Sequence, residues 1–201
     1  MARKKRKKTY SRPDRFSQQA KDDGYMARSV YKLQEIQKRT RILKQGARVV
    51  DLGCFPGSWS QYAMQQIGGR GTLVGVDFEA PKVAGAIWID RSIYDVTSEE
   101  LQAALGGPAD VVLSDMAPNT SGTRDSDHFL QIELARQALR VAIDILKPGG
   151  SFVCKIFEGA EAQAFQQETR AVFKVSKRMR PDAIRKSSRE WFMVAQDFKK
   201  R

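Results

Sequence analysis

The spacing of apolar residues changes period repeatedly along the chain, and each change marks an element. From about Ala27 to Lys38, Val30, Leu33 and Ile36 recur at helical spacing. Arg48-Val-Val-Asp-Leu-Gly53 then reads as a strand and Ser58 to Ile67 as a helix. Thr72-Leu-Val-Gly-Val-Asp77 is a second strand, and Ala86-Ile-Trp-Ile-Asp90 a short third. Thr97 can cap a helix over Ser98–Leu105, whose Glu99 and Glu100 suit the positive end of its dipole. The apolar run Ala109-Asp-Val-Val-Leu-Ser-Asp-Met-Ala-Pro118 is a further strand, followed by the loop Pro118-Asn-Thr-Ser-Gly-Thr123. A long amphipathic helix, from about Asp127 to Leu146, is stopped by Lys147-Pro-Gly-Gly150. A strand over Ser151–Phe157, a helix from about Ala160 to Phe173, and two strands near Val175–Arg180 and Trp191–Phe198 complete the chain.

Strands alternating with helices across short loops predict an α/β fold: a doubly wound, mostly parallel sheet with helices on both faces. The last two strands have no helix between them, so they are expected to pair antiparallel at one edge. A chain of 201 residues can build one substantial core. We read a basic, flexible extension over residues 1–16 and a single domain over 17–201.

Two polar residues break otherwise apolar strands. Lys155 sits inside Ser151-Phe-Val-Cys-Lys-Ile-Phe157, where an ammonium group must be paired or aimed into a cleft. Asp115 stands at the C-terminal end of the run Ala109–Pro118, the edge where open parallel sheets bind ligands. Between the first strand and helix, Gly53 and Gly57 allow a sharp turn and close approach of a ligand. The loop lacks the second glycine of a dinucleotide fingerprint, and Phe55-Pro56 fills it; with Asp51 before it, this suits a smaller, cationic nucleoside. Asp77, ending the second strand, can accept hydrogen bonds from ribose hydroxyls, and Asp90, ending the third, from an adenine amine.

Charge narrows the partner. The net charge is +12, with +7 in residues 1–16, +7 in residues 174–201, and −2 between them. Basic ends flanking a near-neutral middle point to a polyanion, because phosphate neutralisation and counterion release dominate such binding. A nuclear-localisation reading of the run Arg3–Lys8 is weaker, since any nucleic-acid arm looks the same. No apolar stretch approaches the roughly 20 residues needed to span a bilayer, and no apolar segment follows the N-terminal charges as in a secretory signal. No membrane partner and no DNA are expected. Cys54 and Cys154, in strand contexts without a Cys-x-x-Cys partner, read as reduced residues of a cytoplasmic protein. His128 is the only histidine, which argues against a His-based metal site or a Ser-His-Asp triad; it is expected to face solvent near a helix start.

These motifs resemble the FtsJ family, the heat-shock ribosomal RNA 2′-O-methyltransferases, which use S-adenosylmethionine. The resemblance runs from Ala27-Arg-Ser-Val-Tyr-Lys-Leu33 to Ser188-Arg-Glu-Trp191, and its specific parts are Asp51-Leu-Gly-x-x-Pro-Gly-x-Trp-Ser60 and Ser114-Asp-Met-Ala-Pro118. It implies a Rossmann-like methyltransferase sheet, a catalytic set of Lys32, Asp115, Lys155 and Glu190, and cofactor contacts at Gly57, Trp59, Asp77, Asp90 and Asp115. It further implies methylation of a uridine ribose in large-subunit ribosomal RNA, within the subunit or its precursor; nothing in the sequence demands more than a monomer. Cys54-Phe55 departs from the family, where small residues such as alanine are more usual.

A ribose hydroxyl is essentially protonated at neutral pH, so the protein must align it and remove its proton. Lys155 is the candidate general base, active as the neutral amine. Lys32 would favour that form, whereas Asp115 and Glu190 favour the ammonium. A cationic Lys155 that orients the hydroxyl and stabilises a developing alkoxide is the alternative. Two other functions share the pattern. A small-molecule O-methyltransferase would usually need a metal or a lid, and a non-enzymatic RNA assembly factor would have no use for the four-residue set.

Overall fold

The computed structural model describes residues 15–118 and 124–199, with residues 124 and 125 as backbone only. Two helices, α1 (Arg15–Asp22) and α2 (Val30–Thr40), precede the sheet. Then follow β1 (Arg48–Leu52), α3 (Ser58–Ile67), β2 (Thr72–Asp77), β3 (Ile87–Asp90), α4 (Ser98–Leu105) and β4 (Ala109–Ser114). The chain continues through α5 (Arg124–Ile145), β5 (Leu146–Phe157), α6 (Ala162–Val172), β6 (Phe173–Met179) and β7 (Glu190–Phe198).

The seven strands form one sheet in the order β3-β2-β1-β4-β5-β7-β6. β1 pairs in parallel with both β2 and β4, so the winding direction reverses between β1 and β4. This is the switch point at which such sheets open a crevice at their C-terminal edge. The two closing strands pair antiparallel at one edge, as expected; the reversed strand is β7, seated between β5 and the edge strand β6. Because β7 runs backwards, its first residue, Glu190, lies opposite Phe157 at the end of β5.

Alternation along the strands divides the interior into two layers. Val50, Leu52, Val112, Phe152 and Cys154 face the helices α4, α5 and α6. Val49, Leu73, Leu113, Val153 and Phe192 face α2 and α3. A period of two therefore puts Asp51, Asp115, Lys155 and Glu190 on the α2–α3 side. The same alternation that builds the core thus gathers the charged residues onto one face.

Some expectations change. The first described helix, α1, begins at Arg15 and so takes in the end of the expected extension; residues 1–14 lie outside the described residues, as does most of the loop over 119–123. Lys147-Pro-Gly-Gly150 is not only a stop for α5. It belongs to β5, which pairs Leu146 with Ala109 before the register shifts between Ala109 and Val111. Cys54 lies just past β1, not within a strand; it and Cys154 are buried and free. Burial pushes the Cys154 thiol up to about 12, which leaves it inert at neutral pH.

The largest correction is His128. It is 8% exposed, not solvent-facing. Its ring fills the space left by the missing side chain of Gly159, where a Cβ would come within 2.4 Å of the ring. Its Nε2 accepts the Glu161 N–H at 3.1 Å, which fixes the start of α6 against the start of α5.

Candidate active site

The turn after β1 builds the floor of the site. Gly53 and Gly57 have φ of +73° and +112°, a region that favours glycine. A side chain at Gly53 would strike Met116, and one at Gly57 would strike Pro81 and Met26. Gly53 thus lets the β1–α3 turn lie close against the Asp115 segment, and Gly57 lets it lie close against Pro81 and Met26. Asp77, at the end of β2, holds this turn from the side: its carboxylate accepts the Phe55 N–H at 3.0 Å and the Phe78 N–H at 2.7 Å.

Above that floor lies a cavity of about 440 Å³, within the range of small-ligand sites. Its wall includes Gly53, Phe55, Asp77, Phe78, Tyr94 and Asp115. The aromatic residues Phe55, Phe78 and Tyr94 are 50%, 72% and 55% exposed, unusual for such side chains unless something stacks on them. Asp77 and Asp115 put carboxylates on the cavity wall, whose lining also holds Arg91, paired with Glu100 at 3.0 Å. Asp115 Oδ1 is buried without a hydrogen bond of its own. Apolar rings and a carboxylate with spare acceptor capacity fit a nucleoside.

The resemblance places five residues on the cofactor, and the structure treats them differently. Asp77 and Asp115 line the cavity. Asp90, exposed, stands beside Asp77 in the β2–β3 register but outside the lining. Gly57 and Trp59 also lie outside it. Trp59 is 3% exposed, donates its indole N–H to the Ser29 carbonyl at 2.8 Å and packs on Phe192 at 5.6 Å. Its side chain ties α2 to the sheet and so acts on the cavity through the frame around it.

The four residues expected to form one set do meet. Lys155 Nζ lies 3.2 Å from Asp115 Oδ1, Asp115 Oδ2 lies 3.5 Å from Lys32 Nζ, and Lys32 Nζ lies 2.8 Å from Glu190 Oε1. The result is a row of alternating charge, Lys155–Asp115–Lys32–Glu190, whose formal charges cancel. All four side chains are nearly buried, at 7–14% exposure. Lys155 donates its hydrogen bond to the Asp115 main-chain carbonyl at 2.6 Å, so its contact with that carboxylate is mainly Coulombic. Lys32 also stands 5.6 Å from the centre of the Phe192 ring. Four charges held this far from water are costly to assemble for stability alone.

Three supporting residues were assigned no role from the sequence, although Ser60 belongs to the matching motif. Ser60, on α3, donates to the buried Asp51 carboxylate at 2.6 Å. Burial raises the Asp51 carboxyl to about 7; Asp115 and Asp77 push the same way, and Ser60 opposes them. Gln131, on α5, donates to the Lys155 carbonyl at 2.8 Å. Arg180 donates to the carbonyls of Ser188 and Glu190, locking the bend that precedes Glu190. In the sequence Arg180 is one cation among the many of the basic C-terminal stretch.

Residues 25–198 match the model of the FtsJ-like methyltransferase family. The chain is 44% identical over 185 residues to ribosomal RNA large subunit methyltransferase E of Desulfosudis oleivorans, covering 90% of this chain and 89% of that protein. It is 44% identical over 195 residues to the protein of the same name from Syntrophobacter fumaroxidans, covering 96% and 99%. The fold also matches the crystal structure of a ribosomal RNA methyltransferase from Plasmodium falciparum with TM-score 0.76 at 23% identity, covering 87% of this chain and 98% of that one. With the family match spanning nearly the whole sheet and the site it carries, this chain belongs to the FtsJ-like methyltransferase family and is a methyltransferase.

Proposed function

We propose that this methyltransferase moves a methyl group from S-adenosylmethionine to the 2′-hydroxyl of a uridine in large-subunit ribosomal RNA. The observation that carries the reading is the shared position of Asp115. One carboxylate lines the nucleoside-sized cavity and also joins the Lys155–Lys32–Glu190 row, so donor and acceptor sites have a common wall. S-adenosylmethionine, when bound, supplies an activated methyl group on a sulfonium centre. The chain's own residues do the rest. Asp77 and the exposed rings of Phe55, Phe78 and Tyr94 hold a nucleoside. Lys155, 3.2 Å from the shared Asp115 carboxylate, is the residue we assign to the incoming hydroxyl, and its hydrogen bond to the Asp115 carbonyl holds the amine in place. There it receives the hydroxyl proton as the neutral amine, or steadies the developing alkoxide as the cation; both need the amine within hydrogen-bond reach of the same oxygen.

The RNA side is supported by a second hollow of about 220 Å³ beyond Lys32 and Glu190, bordered by Arg28, Arg185 and Ser188. Cations at its rim suit a sugar–phosphate backbone leading to the row. The named relatives act on ribosomal RNA, which agrees with this surface. We place the reaction in the cytoplasm, on the large subunit or its precursor; no helix among the described residues is long and apolar enough to cross a membrane.

The test is methyl transfer from labelled S-adenosylmethionine to large-subunit RNA from cells lacking the protein, with the product mapped by resistance of the 2′-O-methylated linkage to alkali. Label at one alkali-resistant uridine linkage is the expected result. Label only on bases, or only on small molecules, would refute it.

A further inference from the structure

We infer that the opposite edge of the sheet, formed by the N-terminal ends of its parallel strands, is a second docking site for an RNA phosphate backbone. The inference rests on the proposed RNA substrate and adds a place where that RNA is gripped away from the chemistry. Two adjoining hollows, of about 530 and 410 Å³, open on this edge and share Lys44, Asp110 and Lys147. Arg48 and Arg70 border the first, and Arg41 borders the second.

Their charges are not matched. Asp110 is already engaged, since it accepts the Arg48 main-chain N–H at 2.8 Å and pairs with Lys147. Asp197, in the second hollow, pairs with Lys174 at 3.2 Å. Among the described residues no carboxylate pairs with Arg41, Lys44 or Arg70, and all three are exposed. Unmatched cations along concave walls concentrate positive potential, and a phosphate backbone gains from releasing its counterions there. The hollows carry no aromatic side chain on which a base could stack, so the contact would position RNA without reading its sequence. They also lack the apolar face with which a helix enters a membrane surface.

Lys147 and Lys155 lie towards opposite ends of β5, roughly 25 Å apart at about 3.3 Å per residue. A short oligonucleotide seated at Lys155 does not reach the far edge, whereas folded ribosomal RNA can touch both. The far edge therefore contributes to affinity for large RNA and not to the chemical step.

The experiment compares the full chain with the double variant Lys44→Glu/Arg70→Glu, measuring affinity for large-subunit ribosomal RNA across a salt titration. Affinity is expected to fall about tenfold or more, and the slope of log affinity against log salt to fall by about two. Binding of S-adenosylmethionine by calorimetry and kcat at saturating RNA are expected to stay at wild-type values. The charge-removing pair Lys44→Gln/Arg70→Gln should move affinity in the same direction by less, without adding negative charge. Wild-type affinity and slope in both variants would overturn the inference and leave the proposed reaction standing. Loss confined to assembled subunits, with free RNA bound normally, would also overturn it, since the occupant would then be an acidic protein surface. If the wild-type chain neither binds nor methylates ribosomal RNA, the proposed reaction falls and takes this site with it.

Discussion

At the C-terminal ends of the strands, Lys32 and Lys155 are nearly buried and each lies within 3.5 Å of a carboxylate. At the N-terminal ends of the same sheet, Arg41, Lys44 and Arg70 are exposed and have no carboxylate partner among the described residues. The first arrangement gives strong, short-ranged and oriented interactions in a poorly solvated site, as a reacting oxygen needs. The second gives a long-ranged attraction that salt screens, as docking a polyanion needs. Position relative to water, not residue type, decides which task a lysine performs.

The sharpest way to break this contrast is at Asp115, which belongs to both the cavity and the charged row. Asp115→Asn leaves Lys32 with Glu190 and takes from Lys155 the carboxylate it lies against. Methyl transfer should fall by about a thousandfold and cofactor affinity by roughly tenfold, with the salt slope of RNA binding unchanged. Kinetics paired with calorimetry reads both, and a change in salt slope alone would place Asp115 with the docking residues.

Arg180 tests whether the row must be held as well as present. Arg180→Ala frees the bend before Glu190 and should lower kcat by roughly tenfold without changing cofactor affinity. Arg180→Lys should rescue only part of the loss, because a point charge does not reach several carbonyls as a planar guanidinium does. Full rescue by lysine would mean that charge alone matters there.

Asp51 carries the pH dependence. Its carboxyl is raised to about 7 in the folded chain, chiefly by burial, from an ordinary value near 3.8. Between those values the unfolded chain has lost the proton that the folded chain keeps. The contribution of this group is thus fully present below about pH 4 and is lost as pH rises towards 7. Asp51→Asn, which can still accept the Ser60 hydroxyl, should remove that downward slope. Denaturant unfolding at several pH values measures it; an unchanged slope in the variant would clear Asp51 of the effect.

The smallest effect is expected at Asp110, the carboxylate that partly neutralises the docking edge. Asp110→Asn should cost little stability, as exposed pairs do, while tightening RNA binding a few-fold and steepening its salt dependence by about one. Weaker binding would contradict the docking assignment.

Much of the edge that carries the charged row was legible in the sequence because it breaks a pattern. A lysine inside an apolar strand and an aspartate ending another are visible against the period of two, and glycines before a helix mark the turn. Lys32 and Glu190 were legible only through motif resemblance, since a lysine on a helix or a glutamate before a strand breaks no pattern. The docking edge was hidden by averaging. Its cations fall in the segment whose charges sum to −2, and folding separates them from the carboxylates with which they cancel on paper. His128 was misread for a similar reason: the space that buries it comes from Gly159, on another element, and no local spacing announces that. Trp59 belongs to the matching motif, yet only the fold shows its side chain spent on the Ser29 carbonyl and Phe192.

If Lys155 acts on the reacting hydroxyl, and is not merely one end of a buried ion-pair row, its removal stops the chemistry without loosening binding. The most direct measurement is single-turnover methyl transfer by Lys155→Ala at saturating S-adenosylmethionine and RNA, with both affinities determined on the same preparation. Transfer is expected to fall by about a thousandfold or more, with both affinities within a few-fold of wild type. Turnover within about tenfold of wild type, or a loss accounted for by weaker binding, would contradict that role.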